Sequence, residues 1–310
     1  MENTRAKTTR NSLILLLTAT IWGMAFVSQS KGMDYMHPFT FNGVRSLIGA
    51  AGILIYILLS RKIAGDKAAK LDWKLNVKAG LLCGIFLTIA STLQQFGIKY
   101  TSVGKAGFIT TLYIIFVPMF GIFLKKKVAP VVWAAAGMAA VGMYLLCMTE
   151  SLRLGAGDVM VFLCAIAFAI QIMTVDHYAA SIDGAVVSCI QFTVCGVVCC
   201  IGALIWGQPT FGQIQEGLGA LLYAGVLSCG VGYTLQIVGQ KGLNPTVAAL
   251  IMSLESVIAT ISGWIAYKIG FLSTDQTLTP RQIAGCVIVF AAVILVQLPP
   301  EWFCFGKKNA

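Results

Sequence analysis

The sequence predicts an all-α membrane protein with ten transmembrane helices, arranged as two five-helix repeats of opposite orientation. Three observations lead there. Only 11% of the 310 residues are charged, 58% are hydrophobic, and the mean hydropathy is +0.84. Ten apolar runs of membrane-crossing length follow one another with short connections. The chain also matches itself when shifted by 142 positions.

A soluble domain carries roughly 25% charged residues, because a water-facing surface needs them. This chain cannot cover such a surface, so most of its exterior must face hydrocarbon. The net charge of +10 does not indicate nucleic acid, since Lys and Arg sit in short clusters between apolar runs. Nor do the ten cysteines form a disulfide or zinc framework: most lie inside apolar runs, and no Cys-x-x-Cys occurs.

Crossing the hydrocarbon takes about 20 apolar residues. The runs are 11–30, 38–60, 77–98, 104–124, 129–148, 157–177, 184–206, 215–238, 245–268 and 281–298. Backbone groups in lipid must be paired within the segment, so continuous runs are helices; barrel strands would alternate in polarity. The basic start (Arg5, Lys7, Arg10) and Ser28-Gln29-Ser30 outline a cleavable leader. The even span count and the charge asymmetry need that run as the first span instead.

Numbering the connections alternately puts 15 Lys and Arg on the N-terminal side, among them Arg61, Lys62, Lys67, Lys70 and the Lys125-Lys126-Lys127 run. The opposite side holds six: Lys31, Lys99, Lys105, Arg153, Lys268 and Arg281. The positive-inside rule then places both termini in the cytoplasm.

Under the 142-residue shift, Thr92-Leu93-Gln94 meets Thr234-Leu235-Gln236, Gly97 meets Gly239 and Leu112 meets Leu254. A shift of 146 pairs Trp22-Gly23 with Phe168-Ala169 and Arg45 with Gln191. The repeats are residues 1–148 and 149–310. Each holds an odd number of spans, so the second copy enters the membrane upside down. Inverted repeats build carriers, with the substrate site near the midplane between the copies.

These residues resemble the drug/metabolite transporter superfamily, and within it the ten-span EamA-type carriers. Ile21-Trp22-Gly23 looks like that family's Trp-Gly motif, and Arg45-Ser46-Leu47 resembles its intramembrane arginine. Ser253-Leu254-Glu255-Ser256 is similar to its Leu-Glu-Pro motif, with Ser256 in place of the proline. The resemblance covers nearly the whole chain. It implies a central cavity and the export or exchange of small amphiphilic metabolites, often amino acids.

Several residues are candidates for that cavity. Glu255 is a mid-span carboxylate, costing about 2.5–3.5 kcal/mol on insertion scales. It reads either as a proton site or cation contact, which would couple transport to protons, or as a structural carboxylate at a helix break. Gln94 and Gln236 are repeat-related amides deep in spans; Gln95 and Gln171 add two more, and amides suit a polar small-molecule substrate. Trp22, Tyr113 and Tyr233 are candidates for stacking on a substrate, against the plainer reading of packing. Arg45 is expected in the outer third of its span, either lining an outer vestibule or, the favoured reading, paired and snorkelling. Pro118 and Pro245 are structural or gating candidates. Gly80 and Gly84 have the Gly-x-x-x-Gly spacing, which serves a homodimer face or packing within one bundle equally.

No Gly-x-Ser-x-Gly, His-Glu-x-x-His, Walker or dinucleotide motif occurs, so neither an enzyme nor a cofactor is indicated. With only two histidines, His37 and His177, a His-based metal site is not expected either. Other readings are a nucleotide-sugar or sugar-phosphate exchanger, disfavoured by a lone intramembrane basic residue, and a non-transporting sensor or assembly subunit.

Overall fold

The computed structural model describes residues 2–65, 71–124, 129–147, 155–273 and 275–297. Lys67, Lys70, the Lys125–Lys127 run and Arg153 lie outside the described residues. Among the described residues there are helices and no strands. They are α1 Glu2–Gly32, α2 Pro38–Ala64, α3 Trp73–Ile98, α4 Val103–Thr111, α5 Tyr113–Phe123, α6 Pro130–Cys147 and α7 Ala156–Tyr178. After them come α8 Gly184–Gly202, α9 Phe211–Glu216, α10 Leu218–Leu222, α11 Tyr233–Gln240, α12 Pro245–Met252, α13 Leu254–Lys268 and α14 Pro280–Gln297. Two π-helical segments, Ala203–Gly207 and Tyr223–Gly232, extend α8 and join α10 to α11.

Eight stretches among the described residues are long and apolar enough to cross a membrane: Lys7–Gly32, Pro38–Ala64, Trp73–Ile98, Val103–Phe123, Ala156–Tyr178, Gly184–Gly207, Leu218–Gln240 and Pro245–Lys268. That is two fewer than the ten apolar runs. The runs at 129–148 and 281–298 correspond to the shorter apolar helices α6 and α14. Many outward side chains are large and apolar, such as Leu58, Ile63, Phe123, Leu204 and Val287, as a hydrocarbon solvent requires. This is a multi-pass membrane protein.

The helices start where capping chemistry allows. His37, Asp72, Ser102, Asp183 and Asn244 each accept a backbone N–H of the first turn they precede. Pro38 and Pro245 open α2 and α12, where a missing N–H costs nothing. Pro245 is therefore a helix start rather than a mid-span kink.

In packing, α2 lies on α8 and α6 on α14; α3 lies on α7 and α8. The helix α1 lies on α13, α11 and the second π segment, and that segment also lies on α2. Small residues permit the closest crossings. A Cβ on Gly97 would stand 2.8 Å from the Gly157 carbonyl oxygen, so α3 and α7 meet backbone to backbone. A Cβ on Gly23 would stand 2.7 Å from the Glu255 carbonyl oxygen, which explains why glycine follows Trp22 where α1 crosses α13.

Candidate substrate chamber

Two spans are broken in the middle. The helices α4 and α5 are interrupted at Leu112, and α12 and α13 at Ser253. Neither break contains proline. Hydroxyls take up backbone carbonyls around each: Thr111 Oγ1 donates to Phe108 O at 2.8 Å and Ser253 Oγ to Leu250 O at 2.7 Å. Pro118 is buried within α5, beyond the break, and does not cause it. Tyr113 directly follows the first break, and Glu255 follows the second after Leu254. The Tyr113 hydroxyl donates to Glu255 Oε1 at 3.0 Å, both residues buried. Glu255 occupies the first turn of α13, where the positive end of the helix dipole favours a carboxylate.

These residues border a narrow chamber of about 30 Å³. Its wall comes from α1, α2, α3, α4, α5, α7, α8, the second π segment, α11 and α13. Trp22, Gln94, Tyr113, Gln171, Tyr233, Gln236 and Glu255 all line it. Gln171 and Gln236 exchange amide bonds, at 3.2 and 3.5 Å, and Gln94 Nε2 donates to Thr110 Oγ1 at 3.1 Å. The ring of Tyr233 lies between Trp22, 4.5 Å away by centroids, and Phe192, at 5.0 Å edge-to-face.

Gln95 is not among the lining residues. One position along the helix from Gln94, its side chain points about 100° away, where Nε2 donates to Gln29 O at 3.1 Å and ties α3 to α1. Arg45 departs from the snorkelling arrangement expected of it: it is 5% exposed and lines the chamber. Hydropathy measures depth along a span, not the direction a side chain takes. Because α2 is sandwiched between α8 and the second π segment, this direction leads inward.

The chamber also contains residues the sequence reading did not single out, including Gln29, Ser46, Ser91, Thr110, Phe168, Phe192, Ser228 and Cys229. Some had a signal. Leu87, Ser91 and Gln94 share one helical face, as do Phe168, Gln171 and Ile172. Ser228 and Cys229 had none, because the π segment breaks the 3.6-residue periodicity.

The two ends of the bundle are tied differently. At the end away from the N-terminus, Lys105 Nζ meets Asp158 Oδ2 at 2.6 Å, and Thr101 Oγ1 and Gly155 N also donate to that carboxylate. At the other end Asn11 Nδ2 donates to Lys241 O at 2.7 Å and Lys241 Nζ to Ile182 O at 3.0 Å.

The family model described as "EamA-like transporter family" matches this chain twice, over residues 10–148 and 155–298. The chain belongs to the EamA-like transporter family. A relative in Archaeoglobus fulgidus, named as an uncharacterized transporter, is 27% identical over 290 residues, covering 92% of this chain and 84% of its own. The Bacillus subtilis protein named uncharacterized transporter YwfM is 24% identical over 295 residues, 94% of each chain. A solved structure titled "Crystal structure of protein" superposes with a TM-score of 0.71 at 16% identity, covering 93% of this chain and 96% of that one, and so shares the fold. The chain is thus a membrane transporter by family, and the bilayer and a small-molecule substrate are its implied partners.

Proposed function

We propose that this protein is a secondary carrier of a small polar or amphiphilic metabolite, such as an amino acid, working by alternating access between two inverted halves. The observation that carries this reading is the chamber itself, walled by both halves at matching helix breaks. The breaks at Leu112 and Ser253 are 141 positions apart, and Tyr113 and Glu255, bonded to one another, are 142 apart. The caps Ser102 and Asn244 are also 142 apart, and the caps His37 and Asp183 are 146 apart.

The packing supports the same symmetry. Exchanging halves turns the α2–α8 and α6–α14 contacts into themselves and the α3–α7 contact into that of α11 with α1. Counting α6 and α14, each 18 residues and so about 27 Å long, the chain has ten spans and both termini on the cytoplasmic face of the cell membrane. An odd number of spans per half makes the two copies antiparallel, and rocking them opens the chamber to either side in turn. Glu255 and the Gln94/Gln236 pair face the solute.

The test is solute flux in proteoliposomes, with Glu255→Gln as the variant. Flux above that of empty vesicles, lost in the variant, supports the reading. Leak-level flux for amino acids, amines and nucleosides alike would remove it.

A further inference from the structure

The chamber holds an arginine and a glutamate that do not pair with one another. Arg45 is 5% exposed and Glu255 3%. The ion pairs formed among the described residues are Lys31–Asp34 and Lys105–Asp158, so neither Arg45 nor Glu255 belongs to one. Glu255 is provided for by the Tyr113 hydroxyl and the α13 dipole. Arg45 is not: its guanidinium stacks over Phe41 at 5.3 Å, and its Nε has no partner in the protein. A buried guanidinium donor without an acceptor is expensive in a bilayer.

The wall that Arg45 shares carries several hydroxyls. Ser46 and Ser91 both reach the Cys195 sulfur, at 3.5 and 3.4 Å, and they line the chamber with Ser228. A guanidinium has donors and no acceptor, and a hydroxyl can turn its proton toward an anion. We propose that Arg45, with the hydroxyls of Ser46, Ser91 and Ser228, forms an oxyanion subsite in the chamber wall, and that the carried ligand presents a carboxylate there. This rests on the carrier reading above and assigns Arg45 a binding role in it.

The charge inventory selects a carboxylate over a phosphate. A phosphate monoester brings about −1.5 to −2 charges, and Arg45 is the one basic residue in the wall. The same subsite excludes lipophilic monocations, which would leave the guanidinium unpaired beside a second positive charge. The rings of Tyr233, Trp22 and Phe192 pack together in the same wall, so a carboxylate that also carries an apolar part suits the chamber.

The experiment compares each of the standard amino acids with its methyl ester, by thermal shift and flux, on the full chain in lipid. At least one acid should bind about tenfold or more tightly than its ester, the usual worth of a charge-assisted bond. That ratio should fall toward one in Arg45→Gln and survive in part in Arg45→Lys. If Arg45→Gln does not fold, Ser91→Ala with Ser228→Ala should lower the ratio instead. Esters binding as well as their acids, or an unchanged ratio in the variants, overturns the subsite. So does an absence of response to every acid, although flux of another solute would then leave the carrier intact. Binding of acids without flux would do the reverse.

Discussion

Replacing Glu255 by glutamine should make the protein more stable and less active at once. A carboxylate at mid-span costs about 2.5–3.5 kcal/mol on insertion scales. Two local features offset part of that. The Tyr113 hydroxyl donates to Oε1 at 3.0 Å, and exchanging a charged acceptor for a neutral amide oxygen gives up about 1 kcal/mol. The first turn of α13 contributes about 0.3–1 kcal/mol more through the helix dipole. The amide of Glu255→Gln carries a burial cost of its own, so the net gain is at most about 1 kcal/mol, or about 1–2 °C in Tm for a chain of 310 residues. Glutamine keeps the shape and the acceptor, so packing should not intervene. Thermal unfolding in one detergent, beside flux in proteoliposomes, reads both quantities. A variant less stable than the wild type, or one that carries solute unchanged, would refute the reasoning: the carboxylate would then be structural.

Gly23→Ala should destabilise by about 1–3 kcal/mol through overpacking, because its Cβ would lie 2.6 Å from Ile258 Cβ and 2.7 Å from the Glu255 carbonyl oxygen. Gly52→Ala, with nothing within 4 Å, is the control and should be neutral or gain up to about 1 kcal/mol in helix propensity; parallel thermal melts check the pair. Asp158→Asn removes the charge that holds Lys105, a bond of about 1.5–3 kcal/mol, so the end away from the N-terminus should open more readily. Faster labelling from that side by an impermeant thiol reagent, with a lower Tm at low salt, is the expected readout; unchanged labelling would mean the ion pair is no latch.

Much of this was legible because a bilayer imposes a simple rule: apolar length measures the span. The run 104–124 corresponds to Val103–Phe123 and the run 245–268 to Pro245–Lys268. Gln94 and Gln236, matched at 142 residues, line the same chamber. Azimuth was less legible. Gln95 was grouped with Gln94 although one residue turns a helix by about 100°. Arg45 was placed by depth alone.

The break at Leu112 was hidden, and the one beside Glu255 was only an alternative, for another reason. Proline is the usual marker of an interrupted helix, and here serine and threonine hydroxyls satisfy carbonyls beside Leu112 and Ser253 instead. The π segment Tyr223–Gly232 has no counterpart in α3, which is α-helical throughout, so comparing the repeats could not reveal it.

Alternate exposure of the chamber to the two faces is what the account stands on. Cys229 lies in the chamber wall and is 2% exposed, so a variant retaining it as the sole cysteine reports on access directly. An impermeant thiol reagent applied to sealed vesicles of known orientation should reach Cys229 from either face, with a transported solute changing the two rates in opposite senses. Labelling confined to one face, and indifferent to every solute, would contradict the account.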